Sequence, residues 1–165
     1  MLSSKRAGKA AAVLFGVYAV SQAYIAVLLR PVGADALRVQ TTRDPDELRR
    51  IMGAWSPEQC DRYRRHLLPD TLHPLVYASA LAAAGVAGHR PDTPRWVRMG
   101  VVAAPVLSAG CDLAENALHA RFIRHPNRIT RRVARISTLL TRTKWVFAFG
   151  TAGVLVARTV RNRRR

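Results

Sequence analysis

Side chains that could do chemistry lie at helical spacing in two short segments of the sequence. They are Asp70, His73 and Tyr77 in the first segment, and Asp112, Glu115, Asn116 and His119 in the second. Intervals of three and four residues place such side chains on one face of a helix. Carboxylate and imidazole groups on a shared face can transfer protons, pair with a cation, bind a polar ligand or coordinate a metal ion.

Two basic residues later in the chain, Arg142 and Lys144, are predicted ion-pair partners for Asp112 and Glu115. One interpretation is a structural cluster in which these charges pair and Asn116 satisfies free backbone groups, because buried charges are usually paired. A second is a polar pocket for a small molecule, a lipid head group or a proton. The sequence leaves these two interpretations open.

A metal ion is a third interpretation, because Asp70-x-x-His73 and Glu115-x-x-x-His119 offer ligands at helical spacing. The repeated Glu-x-x-His pair of di-iron helical bundles is absent, so neither a metal nor another cofactor is predicted. Ser108 with His73 could suggest a hydrolase, but no nucleophile elbow accompanies them.

The composition shows what must hold these residues. The chain of 165 residues carries 27 Lys and Arg but only 10 Asp and Glu, and 49% of its residues are apolar. Long uncharged runs separate the basic clusters, and a helix of about 20 apolar residues crosses a bilayer. The prediction is therefore an all-α, multi-pass membrane bundle of four transmembrane helices in one domain. The predicted spans are residues 10–29, 71–88, 99–118 and 138–157.

The connection over residues 30–70 is predicted to be helical and to lie outside the membrane. Asp44 followed by Pro45 favours the start of one short helix, and Ser56 with Gln59 forms the pattern of a capping box at the start of another. Glycines in the later spans, which are Gly85, Gly88, Gly100 and Gly110, are interpreted as close-packing positions.

The short, Pro-rich link over residues 89–98 makes the second and third spans antiparallel neighbours. Counting outward from this link sets Asp70 level with Asn116, His73 with Asp112 or Leu113, and Tyr77 with Ala109 or Gly110. The fourth span begins on the same side. We therefore expect the two polar stripes to meet, with Arg142 and Lys144 entering at a similar depth.

The Arg-rich segments 119–135 and 158–165 flank apolar spans, so the expected partners are membrane lipids with anionic head groups. Nucleic acid is not expected, because the Arg clusters lack interleaved aromatic residues and a binding module. A second copy of the chain or a membrane complex is an open alternative. Unopposed basic charge beside the first span and in the terminal RNRRR favours a cell-membrane protein with both termini in the cytoplasm.

Two motifs in the chain resemble a pattern found in small uncharacterised bacterial membrane proteins with four predicted helices. Asp70, Pro74 and Tyr77 form D-x-x-x-P-x-x-Y, and Asp112 and Glu115 begin D-x-x-E-N. The resemblance implies a multi-pass protein and no particular activity. The predicted function is binding, transport or an accessory role in the membrane. One alternative is an enzyme acting on a lipid or isoprenoid-like substrate, with Asp112 or Glu115 as general acid or base and His73 assisting. The other is a structural subunit of a membrane complex.

Overall fold

The computed structural model describes residues 4–90 and 92–163, and over those residues it is all-helical, without a β-strand. The predicted all-α class is confirmed. The helices are α1 (Ser4–Leu29), α2 (Asp35–Thr41), α3 (Pro45–Gly53), α4 (Pro57–Ala87), α5 (Arg95–Arg124) and α6 (Arg131–Arg163), with a 3₁₀ turn at Pro126–Arg128.

The four long helices pack as a row, with α1 against α4, α4 against α5 and α5 against α6. The outer helices α1 and α6 have no extensive contact with each other. Helices α2 and α3 lie at the end of the bundle where α4 begins, called here the loop end. A small apolar core there includes Val39, Leu48, Trp55, Tyr63 and Phe122.

The local signals for helix starts in the 30–70 connection are confirmed. The Asp44 side chain accepts a hydrogen bond from the Asp46 backbone N–H at 3.0 Å and so caps α3. At the start of α4, Ser56 Oγ accepts from the Gln59 N–H at 3.2 Å, and Gln59 Oε1 accepts from the Ser56 N–H at 2.9 Å. This reciprocal pair is the predicted capping box.

Helix α4 then continues without a break through Pro69 and Pro74. The sequence places a change from connection to span near residue 70, but the helix passes that point. A proline inside a helix leaves the carbonyl four residues earlier without its usual donor. For Pro74 that carbonyl belongs to Asp70, and the Asn116 side chain donates to it at 2.8 Å. The neighbouring helix therefore supplies the hydrogen bond that Pro74 removes.

One glycine sets how closely α4 approaches α5. A Cβ atom added at Gly85 would lie 2.8 Å from Cγ2 of Val101, so no larger residue fits without movement. The close-packing interpretation is right for Gly85. It is wrong for Gly100 and Gly110, where an added Cβ meets nothing within 4 Å. At Gly88 the nearest neighbour is a backbone oxygen of the same helix end, at ordinary contact distance.

Two of the four long helices are long and apolar enough to cross a membrane by length and composition. The best window of α1 has a mean hydropathy of 2.0, and that of α5 has 1.4. Helices α4 and α6 are longer, with 31 and 33 residues, but are less apolar and do not meet that criterion.

Candidate ligand cavity

The two predicted polar stripes meet between α4 and α5 in the expected register. Besides the bond from Asn116 to the Asp70 carbonyl, the Tyr77 hydroxyl of α4 lies 3.4 Å from Oδ2 of Asp112 on α5. The antiparallel count from the link predicts the Asp70–Asn116 pairing, and it sets Tyr77 about one turn from Asp112, within reach of its long side chain.

Lys144 of α6 joins this cluster and pairs with both carboxylates of α5. Its Nζ lies 2.7 Å from Oδ1 of Asp112 and 2.7 Å from Oε2 of Glu115. Thr141 Oγ1 donates to Oε1 of Glu115 at 2.8 Å. All four side chains are buried. One ammonium group is therefore shared by two carboxylates that have little access to water.

Arg142, the other predicted partner, is exposed and has no ion pair within the described residues. The inward face of α6 follows a regular spacing through Ser137, Thr141 and Lys144. Arg142 lies about 100–160° away from these residues around the helix. Arg142 and Lys144 lie at nearly the same depth along the bundle, about 3 Å apart. Their different directions around the helix therefore decide which of them pairs with the carboxylates.

Ser108 connects the cluster to the backbone of α6. Its hydroxyl donates to the Lys144 carbonyl at 2.7 Å and lies 2.9 Å from the Tyr77 hydroxyl. With its own proton committed to that carbonyl, Ser108 accepts from Tyr77. The hydrogen bond of His73 goes elsewhere, to Ser21 of α1, whose Oγ lies 2.6 Å from Nδ1. The Ser108–His73 hydrolase arrangement is therefore not formed.

His119 lies one layer closer to the loop end and does not line the cavity. Its Nδ1 is 2.7 Å from the Tyr63 hydroxyl and its Nε2 is 3.0 Å from Ser137 Oγ. Both ring nitrogens thus have partners within the bundle, while Glu115 is 4.0 Å away. In residues 4–90 and 92–163, no group of three or more His, Cys, Asp or Glu side chains is arranged to hold a metal ion.

A cavity of about 390 Å³ lies between α1 and α6, above the face of α4. Its polar part contains the predicted residues Asp70, His73, Tyr77, Asp112 and Lys144. The remaining lining includes Phe15, Tyr18, Gln22, Ile25, Leu29, Gln40, His66, Leu81, Ser108, Trp145, Ala148, Phe149 and Ala152. Because the outer helices do not close against each other, the cavity opens sideways between them.

Two cavity residues differ sharply from the paired cluster. Within the described chain, the Asp70 carboxylate has no Lys, Arg or His within ion-pairing distance. His66, one turn earlier, is buried, and this burial lowers its pKa to about 4 although its Nδ1 contacts the Tyr63 carbonyl. His66 is therefore neutral at pH 7.

The sequence reasoning missed several cavity and cluster residues, namely Tyr18, Ser21, Gln40, His66 and Thr141. A signal for α1 was present, since Phe15, Tyr18, Gln22 and Ile25 recur at intervals of three and four. Gln40 gave no such signal, because it comes from α2 and reaches the cavity only through the tertiary fold.

Comparison with known proteins adds no relative: no family model matches the chain, and no curated protein or solved structure matches it. The fold and the cavity lining alone define the class of protein, which is an all-helical bundle with a laterally open, partly polar cavity.

Proposed function

We propose that this chain is a four-span membrane protein that binds a small amphipathic molecule in the cavity between α1 and α6. The observation that carries the proposal is the lining of that cavity, which is polar where α4, α5 and α6 meet and, apart from Gln22, mainly apolar and aromatic along α1 and the middle of α6. A ligand with a polar end and an apolar body fits such a lining, and the sideways opening would admit it from the lipid phase.

The outward surfaces of the bundle support insertion into a membrane. Each of the four long helices exposes large apolar side chains that no other part of the described chain covers. Val20 of α1 is 72% exposed, Leu72 of α4 60%, Val106 of α5 59% and Phe149 of α6 72%. Large contiguous apolar surfaces on a soluble monomer are rare. Lipid would cover them and complete α4 and α6 as spans.

The charges at the loop end support contact with anionic lipid head groups. Arg121 and Arg124 end α5, Arg131 and Arg132 begin α6, and all four are exposed. Arginines at the start of a helix are unfavourable to the helix dipole, and a nearby lipid phosphate would offset that cost.

We place both termini in the cytoplasm and the loop end outside. Reporter fusions inserted after Gly53 and after Asp92 test this arrangement. The Gly53 fusion is expected to report a location outside the cytoplasm and the Asp92 fusion a cytoplasmic one. The opposite pair of results would reverse the orientation, and a shared side would contradict four spans.

Native mass spectrometry of protein extracted from its membrane in lipid nanodiscs tests the binding proposal. The wild type is expected to retain a small-molecule adduct, and Ala148→Phe, which fills the cavity, is expected to lose it. Ala157→Phe is the matched control, because Ala157 is exposed on the same helix and does not line the cavity.

Ala152→Leu also fills the cavity but adds a smaller side chain, which is less disruptive to folding. Loss of the adduct in this variant would therefore reflect lost cavity space and not misfolding. A wild type without an adduct, or an adduct that survives both filling variants, would contradict the proposal. The first of these results would favour the structural-subunit alternative.

An enzyme is a second candidate function, favoured by one observation. Asp70 and His73 face the same cavity, and the Asp70 carboxylate lacks an ion pair, so this pair could exchange protons with a bound lipid or isoprenoid-like substrate. Asp112 and Glu115, which the sequence offers as the acid or base, both pair with Lys144. Under this alternative Asp70→Asn would still bind a small molecule, but the bound molecule would have the mass of the substrate, whereas that in the wild type would have the mass of the product.

A further inference from the structure

We propose that the cavity selects an amphiphile with a cationic head group, an amine or a quaternary ammonium, and that Asp70 is its counter-ion. This inference rests on the proposed binding function and adds the chemical class of the ligand.

The first argument is the balance of charge around the cavity. Three carboxylates, those of Asp70, Asp112 and Glu115, lie close to a single ammonium group, that of Lys144. Lys144 is already shared at 2.7 Å between Asp112 and Glu115. Carboxylates inside a membrane bundle are normally paired. Asp70 lines open space instead, which is where a cationic group from outside the chain can pair with it.

The groups that face Asp70 do not replace that cation. On its own helix, the His73 ring uses Nδ1 for the hydrogen bond to Ser21. From α5, the Asn116 amide hydrogen-bonds both the backbone carbonyl and the side chain of Asp70, but it is neutral and supplies no positive charge. From α6, Lys144 is held by the other two carboxylates. An anionic head group in this space would face the carboxylates of Asp70 and Asp112, while the cation that lines it, Lys144, is already paired with Asp112 and Glu115.

The second argument is the aromatic lining. Five aromatic side chains border the cavity, namely Phe15, Tyr18, Tyr77, Trp145 and Phe149. The faces of aromatic rings attract ammonium groups, and the attraction grows when water is excluded. Carboxylates combined with aromatic rings are a favourable environment for a cation, while Leu81, Ala148 and Ala152 offer an apolar path for its chain.

Three probes with the same chain test the head-group preference, namely dodecylamine, dodecanol and dodecanoate. Each is titrated at pH 7 against the full-length protein in uncharged maltoside micelles, and bound probe is counted by native mass spectrometry. The wild type is expected to bind the amine about tenfold or more tightly than the alcohol, as one charge-assisted contact allows. The carboxylate is expected to bind most weakly.

Asp70→Asn is expected to remove most of this preference while leaving dodecanol binding unchanged. Asn is of the same size, and the side chain it replaces has no ion pair, so we expect the variant to fold. Asp61→Asn is the matched control, because Asp61 is on the same helix and pairs with Arg65 outside the cavity. His73→Asn is expected to retain the preference.

Equal binding of amine and alcohol, tighter binding of dodecanoate, or a preference that survives Asp70→Asn would overturn the cationic assignment. Loss of the preference in His73→Asn but not in Asp70→Asn would also overturn it. If the amine and the alcohol bind equally and Ala148→Phe blocks both, the binding function stands and only the charge assignment fails. If none of the probes binds the wild type, both fail.

Discussion

Replacing Lys144 by Met should be among the most damaging single changes in the bundle. The variant removes both 2.7 Å contacts of the ammonium group and leaves the buried carboxylates of Asp112 and Glu115 beside each other without a cation. Removing one partner of a buried ion pair costs about 3–5 kcal/mol. A domain of this size is stable by only about 5–15 kcal/mol, so the folded yield should drop steeply.

The rescue is as informative as the loss. Adding Asp112→Asn and Glu115→Gln to Lys144→Met removes all three charges, and replacing a complete buried ion cluster with neutral groups is often close to neutral in stability. The triple variant should therefore recover most of the lost free energy of unfolding. Arg142→Met is the control, because Arg142 is exposed two residues away, and its effect should stay within about 0.5 kcal/mol.

The assay is reversible unfolding in mixed micelles, followed by far-ultraviolet circular dichroism as sodium dodecyl sulfate is increased. Equal effects of Lys144→Met and Arg142→Met would refute the assignment of Lys144 as the internal cation. A triple variant no more stable than Lys144→Met alone would show that the loss comes from packing and not from unpaired charge.

Three further changes can be measured by the same unfolding assay. Gly85→Ala should destabilise the protein by about 1–3 kcal/mol, because its Cβ would lie 2.8 Å from Cγ2 of Val101. Gly110→Ala, in open space, should stabilise it by up to about 1 kcal/mol. Equal effects of the two variants would contradict the close approach of α4 to α5. Ser56→Ala should cost about 1 kcal/mol by removing the capping box, and no loss would show that the cap is dispensable. Burial lowers the pKa of His66 to about 4, so the unfolded chain takes up the proton first as the pH falls from 6.5. The wild type should lose about 3 kcal/mol between pH 6.5 and pH 4 that His66→Gln does not lose, and parallel pH profiles would disprove the shift.

The sequence was sufficient where a feature depends on local signals or on simple counting. The caps at Asp44 and Ser56 use neighbouring residues only, so a short pattern predicts them. The register of α4 against α5 follows from a short link between two antiparallel helices, which is why Asp70 was correctly set beside Asn116.

The sequence was insufficient where a feature depends on helical phase or on the fold as a whole. Depth alone could not separate Lys144 from Arg142, and the phase of Ser137 and Thr141 on the same helix was the signal that could have done so. The interior prolines of α4 suggest a boundary near residue 70. The helix continues past that point because the Asp70 carbonyl accepts a hydrogen bond from Asn116, 46 positions later, and no local pattern indicates this donor. The cavity exists because α1 and α6 do not pack together, and no sequence pattern marks a missing contact.

The two leading interpretations of the polar cluster, a structural ion-pair cluster and a ligand pocket, need not exclude each other. Asp112 and Glu115 point toward α6 and share Lys144, and this shared charge holds α5 and α6 together. Asp70 and His73 belong to α4 and face the space that α6 leaves open. With the inner charges fixed by Lys144, the Asp70 carboxylate stays available to a ligand. Neutralising Asp112 and Glu115 while Lys144 stays charged should therefore lower stability, whereas Asp70→Asn should lower the binding of a cationic ligand without lowering stability.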